Sequence, residues 1–240
     1  MELAIDTSTE ITSLSLSNEG EVLVEHTWRT GRNHTTQLLP SLLLILQQVE
    51  ASLRDITSII VAKGPGNFNG LRAGIATAKG LSFALNLPLI GVSTLELIAF
   101  PYAELGQPIC PILKAGRDEV AAALFQSQDG KWRRLVAEHL TNIDNLNLQA
   151  SGKIIFCGQI ESQMASDLRR KFGRKALILQ GSASIRRAGY LAELGWRKLK
   201  EDSLDDPATL QPLYLRKPSI TISKSPHKNP EILYNKKGRR

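Results

Sequence analysis

Alternating and helical hydrophobic spacings succeed one another along this chain, and the same succession occurs twice. In residues 13–17 serine alternates with leucine, the two-residue period of a strand with one covered face. Asn18-Glu19-Gly20 follows as a tight-turn signal. The pattern predicts strands at residues 2–6, 11–17 and 21–27, a helix over 35–52, a strand at 58–63, a helix over 71–86, a strand at 89–92 and a helix over 94–104. From residue 109 the order repeats: strands at 109–113, 119–125 and 131–139, with Asp129-Gly130 as the hairpin signal. A helical stretch near 143–150, a strand at 153–157, a helix over 161–172, a strand at 176–179 and a helix over 184–200 complete it. Each half reads β-β-β-α-β-α-β-α.

Three antiparallel strands feeding β-α-β crossovers build a mixed sheet with helices on both faces. Two such units in tandem resemble the ribonuclease-H-like duplication of actin-like (ASKHA) proteins. The expected fold class is therefore α/β, with residues 1–103 as the N-terminal half, 104–222 as the C-terminal half and 223–240 as a basic, disordered tail. A fold of this kind fixes no function.

The helix over 71–86 has more apolar surface than one core requires. Leu71, Ile75, Ala78, Leu81 and Leu85 share a face, whereas Ala73, Ala76, Thr77, Gly80 and Ala84 share the opposite one. An ordinary surface helix has one apolar stripe. The second stripe is made of small residues, which let another helix approach closely. That helix belongs either to the same chain or to a partner. The preceding helix carries a core stripe of Leu38, Leu42, Ile45 and Val49, and leaves Leu39, Leu43 and Leu44 off it. Adjacent helices with surplus apolar surface favour a protein interface.

Charge changes the picture little. The net charge is +7, but residues 223–240 carry six Lys/Arg and one acid. The folded body is then near +2, so the basicity is assigned to the tail, as a solvated segment or a contact for RNA phosphates. The longest aliphatic run, Leu42-Leu43-Leu44-Ile45-Leu46, is far short of the ~20 residues that cross a bilayer. The start, Met1-Glu2-Leu3-Ala4-Ile5-Asp6, does not read as a signal peptide, and a cytoplasmic location is expected. Cys110 and Cys157 each sit in an apolar stretch and read as small buried hydrophobes.

Two segments are candidates for chemistry. Asp6-Thr7-Ser8-Thr9 ends the first strand with an acid and hydroxyls, a set that can hold a metal–phosphate group or simply form a turn. Gly64-Pro65-Gly66-Asn67 leads from a strand into a helix N-terminus, a place that can bind an anion or merely shape the connection. The loop is not a Walker A sequence, since no Gly-Lys-Ser/Thr follows. The four histidines show no metal-ligand spacing, and His34 reads as a surface or capping residue.

Ala4-Ile5-Asp6-Thr7-Ser8-Thr9, Gly64-Pro65-Gly66-Asn67-Phe68-Asn69-Gly70-Leu71-Arg72-Ala73-Gly74, Gly91-Val92-Ser93-Thr94-Leu95 and Tyr214-Leu215-Arg216, in this order and spacing, resemble the TsaB family. That family is a paralogue of TsaD, the catalytic subunit once classed as a glycoprotease. It works with TsaD and the ATPase TsaE to make threonylcarbamoyl-adenosine beside the tRNA anticodon. The resemblance implies a non-catalytic scaffold without a cofactor or metal of its own. It also implies that the two apolar helices pack against TsaD or self-pair, a role falling here on Leu39, Leu43, Ala73, Ala76, Thr77, Gly80 and Ala84. Asp6, Thr7, Ser8, Gly64, Pro65 and Gly66 would then be vestigial phosphate-type loops. Two departures stand out: Asn67 and Asn69 replace the family's usual Ser and Thr, and Lys114-Ala115-Gly116 stands where Asp-Ala-Arg is common. In actin-like ATPases that hairpin supplies an acid near the phosphates, so Lys114 argues against the alternative of an ATP-dependent phosphotransferase, and the other alternative, a metallo-glycoprotease-like enzyme, lacks its metal ligands here.

Overall fold

The structure, a computed structural model, describes residues 1–31, 33–149 and 152–216. The basic tail expected at 223–240 lies outside the described residues. The first half contains β1 (Glu2–Asp6), β2 (Ile11–Asn18), β3 (Glu21–Arg29), α1 (His34–Gln48), β4 (Ser58–Gly64), α2 (Phe68–Leu85), β5 (Leu89–Ser93) and α3 (Thr94–Ala99). The second contains β6 (Ile109–Lys114), β7 (Val120–Gln128), β8 (Lys131–Thr141), β9 (Ile154–Gly158), α4 (Ser162–Phe172), β10 (Ala176–Ile178) and α5 (Ala188–Lys200). Each half folds into a five-stranded mixed sheet, ordered β3-β2-β1-β4-β5 and β10-β9-β6-β7-β8. The α/β tandem architecture matches the expectation.

Strand alternation distributes the core. Leu3, Ile5, Ile59 and Val61 face α1 and α2, where they pack on Leu38, Leu42, Ile45 and Ile75. Ala4, Ile60 and Ala62 face the other way and pack on Ala188, Leu191 and Ala192 of α5. The second sheet repeats the scheme, with Ile112, Ala122 and Phe156 under α4 and Ile109, Leu113 and Ile155 under α3.

The helices at the join therefore cross over. α3 follows the first sheet but lies on the second, and α5 follows the second but lies on the first. Gly195 of α5 presses on the Ile60 side chain closely enough that a Cβ would collide. After α5 the chain runs back along the first half. Asp205 accepts from the Gly91 amide at 2.8 Å, and the Leu213 amide donates to the Lys63 carbonyl at 2.6 Å.

One expected element is absent from the described residues: no helix forms near 143–150. Asn142 Oδ1 accepts from the Asn145 amide at 2.8 Å and starts a turn instead. Leu146 and Leu148 then reach the second core from an irregular segment. Asparagine at 142, 145 and 147 competes for backbone hydrogen bonds and defeats the weak apolar spacing. The helix expected over 94–104 is α-helical only to Ala99 and continues as 3-10 turns.

Candidate functional site

A cleft of about 710 Å³ separates the halves, lined among others by Thr9, Pro65, Gly66, Asn67, Lys114, Arg186 and Tyr214. This is where both predicted loops meet. Their arrangement leaves little open to a ligand. Asp6, fully buried at the end of β1, accepts from Arg186 Nε at 2.7 Å on one oxygen. Its other oxygen accepts from the Ser8 amide and hydroxyl at 2.9 and 2.5 Å. Arg186 also donates to Thr9 Oγ1 at 2.6 Å and to the Ile11 carbonyl at 3.3 Å. A carboxylate so paired and hydrogen-bonded has little left for a cation, since a buried charge is held by its partners.

The backbone loops are sealed against each other in the same way. The Asn67 amide donates to the Ser8 carbonyl at 2.6 Å, and Thr7 Oγ1 donates to the Gly70 carbonyl at 2.7 Å. A Cβ on Gly66, Gly70 or Gly74 would collide with Ser8 O, Thr7 O or Thr7 Oγ1 respectively. The glycines are therefore spent on close approach between protein segments. The N-terminus of α2 is capped from within, because Asn67 Oδ1 accepts from the amides of Asn69 and Gly70, each at 3.0 Å. These amides are the donors an anion would need. Lys114 lies across the cleft and pairs with Glu161 at 2.8 Å.

His34 departs from its expected place as a surface or capping residue. It is buried, its Nδ1 lies 3.0 Å from Thr12 Oγ1, and its Nε2 has no partner. Desolvation pushes its pKa below 6.5, against a smaller opposing effect of Asp6. A buried neutral imidazole packed beside Gly70 is part of the loop seal. Cys110 and Cys157 are free and fully buried, and burial holds both thiols far above their ordinary range.

Among the described residues, the outer face of α1 and α2 carries exposed apolar side chains. Leu39, Leu43 and Leu44 of α1 are about half exposed, at 49%, 59% and 46%. On α2, Ala76, Gly80 and Ala84 are exposed, Thr77 is half-buried, and a Cβ on Gly80 would meet open space. Ala73 differs from the expectation: its own chain covers it, so it leaves the exposed set. Phe83 was missed and belongs to the face. At 63% exposure it is the most open large hydrophobic among the described residues. On a helix it projects only about 20° from Ala76; grouping the second stripe by small size hid it. Among the described residues, no group of His, Cys, Asp and Glu has metal-holding geometry, and no helix is long and apolar enough to cross a membrane.

Comparison with known proteins decides the family. The family model of TsaD, a tRNA N6-adenosine threonylcarbamoyltransferase, matches residues 27–222. The Bacillus subtilis tRNA threonylcarbamoyladenosine biosynthesis protein TsaB is 30% identical over 220 residues, covering 89% of this chain and 93% of that protein. The chain belongs to the TsaB family. Its Escherichia coli relative of the same name is 45% identical over 97 residues, 40% of this chain. Among solved structures, a Pseudomonas aeruginosa protein described as similar to the peptidase YeaZ superposes with a TM-score of 0.79 at 26% identity. It covers 90% of this chain and 99% of its own. A Clostridium difficile dehydratase activator with bound ADPNP shares the fold, at TM-score 0.50 and 10% identity over 84% of this chain and 96% of its own.

Proposed function

We propose that the chain serves tRNA threonylcarbamoyladenosine biosynthesis in the cytoplasm as a non-catalytic scaffold. In this reading it docks a TsaD-like catalytic subunit on the exposed face of α1 and α2. The observation that carries the reading is the burial of Asp6 in an ion pair with Arg186. It commits the acid of the candidate metal–phosphate loop, and favours binding rather than chemistry as the role.

The open face supports the partner half of the reading. Burying the exposed parts of Leu39, Leu43, Leu44 and Phe83 contributes about 1–1.5 kcal/mol each. Their total is comparable to the lower estimates of ~4 kcal/mol for the lost freedom of association. The four anchors alone are marginal. Close approach at Ala76, Gly80 and Ala84 must supply the rest, through dispersion contacts that a bulkier helix surface excludes. A homodimer through the same face competes with the TsaD-like subunit. A TsaE-like ATPase is a further partner in this reading.

The test is reconstitution. Purified chain alone should hydrolyse ATP no faster than buffer, and adding it to a TsaD-like subunit should raise tRNA modification. Magnesium-dependent turnover by the chain alone, abolished by Asp6→Ala, would establish the phosphotransferase reading instead.

A further inference from the structure

The near-neutral body conceals a concentrated basic patch. Residues 169–175 read Arg-Arg-Lys-Phe-Gly-Arg-Lys, five cations in seven positions with no acid. They form the last turn of α4 and the 3-10 turn Gly173–Lys175, and all five cations are exposed. The segment is held in place. The Gly173 amide caps the Arg169 carbonyl, Phe172 packs on Phe156 at 5.0 Å between ring centres, and Lys171 Nζ donates to the carbonyls of Ile143 and Asp144.

The cations divide by what they already do. Lys171 is engaged with those carbonyls, and Arg170 pairs with Asp167 at 3.0 Å and lies 3.8 Å from Asp144. Arg169, Arg174 and Lys175 have no acidic partner among the described residues. Positive charge at a helix C-terminus is ordinarily explained by the helix dipole, but that effect fades beyond the last turn. Arg174 and Lys175 lie past it.

We propose that Arg169, Arg174 and Lys175 form a contact surface for the phosphate backbone of RNA. Resting on the function proposed above, the occupant is the tRNA substrate. A polyanion matches exposed cations on an ordered turn, whose charge attracts the backbone without reading its sequence. An anionic membrane matches less well. Surface-binding helices insert an apolar face, and here Met164, Ala165, Leu168 and Phe172 already pack into the second core.

The experiment uses the full chain and a labelled tRNA transcript, with binding measured between about 50 and 200 mM salt. Arg169→Ser/Arg174→Ser/Lys175→Ser should bind at least about ten-fold more weakly at the low-salt end, with the log–log salt slope shallower by about 2–3. Its melting temperature and its capture of a TsaD-like subunit should equal the parent's, which keeps this test separate from the docking reading. If the triple variant melts early, Arg174→Ser/Lys175→Ser lies beyond the helix and should lower the slope by about 2. Unchanged RNA affinity and slope would overturn the proposal. So would unchanged RNA binding with lost binding to phosphatidylserine vesicles.

Discussion

Arg186 and Asp6 lie 180 residues apart in sequence, yet the guanidinium Nε of one sits 2.7 Å from a carboxylate oxygen of the other in the floor of the cleft. Both are buried, so removing either leaves an uncompensated charge out of water. Arg186→Met should therefore destabilise the fold by about 3–5 kcal/mol in chemical denaturation. Asp6→Asn/Arg186→Met removes both charges and should cost less than Arg186→Met alone. Equal stability of Arg186→Met and the parent would mean that the pair does not hold the fold together.

The glycines of the sealed loops give a second prediction. Gly70→Ala places a methyl against the Thr7 carbonyl, and Gly74→Ala places one against the Thr7 hydroxyl. Each should cost about 1–3 kcal/mol, the range for overpacking, despite the better helix propensity of alanine. Gly80→Ala, with open space around it, should be neutral or stabilising. A thermal melt of the three variants checks the order.

A third prediction concerns pH. The buried His34 ring has its pKa lowered by desolvation, so the unfolded chain takes up its proton first as pH falls. Stability tied to His34 should be complete above the ordinary 6.5 and decline as pH drops through that value toward the depressed folded pKa. His34→Gln, which cannot titrate, should flatten that part of the stability–pH profile. A profile of unchanged slope would show that the imidazole is hydrated in the native state.

The sequence carried the order of the halves because turn signals such as Asn18-Glu19-Gly20 and Asp129-Gly130 are local, as is strand alternation. Both are strong enough to survive tertiary packing. It did not carry the destination of α5 or of the segment after it. Those depend on which apolar face each sheet leaves uncovered, a matter of topology rather than spacing. The candidate loops were legible as loops from their glycines and hydroxyls. Their closure was not, because it depends on contacts between distant segments, Asn67 with Ser8, Thr7 with Gly70 and Arg186 with Asp6. His34 looked exposed because its burial comes from the first turn of α2, whose Gly70 packs against the ring. Leu43 and Gly80 were readable on the open face, since helical periodicity alone places them away from the core.

Within that face, Phe83 and Leu43 should carry the largest share of docking energy, since they are the most exposed large apolar side chains there and bury the most surface. Phe83→Ala should weaken capture of a TsaD-like subunit by ~2 kcal/mol, roughly thirty-fold, without lowering the melting temperature. Calorimetric titration of the two purified proteins reads the effect directly.

The most direct measurement of the account is complex formation by Ala76→Arg. Ala76 is exposed whereas Ile75, one residue away, is 4% exposed. Arginine at 76 should leave the fold intact, and arginine at 75 should unfold it by placing an unpaired charge in the core. The account predicts that Ala76→Arg melts like the parent, binds the TsaD-like subunit at least tens of fold more weakly and fails to support tRNA modification. An Ala76→Arg protein that folds, binds and supports modification like the parent would contradict it.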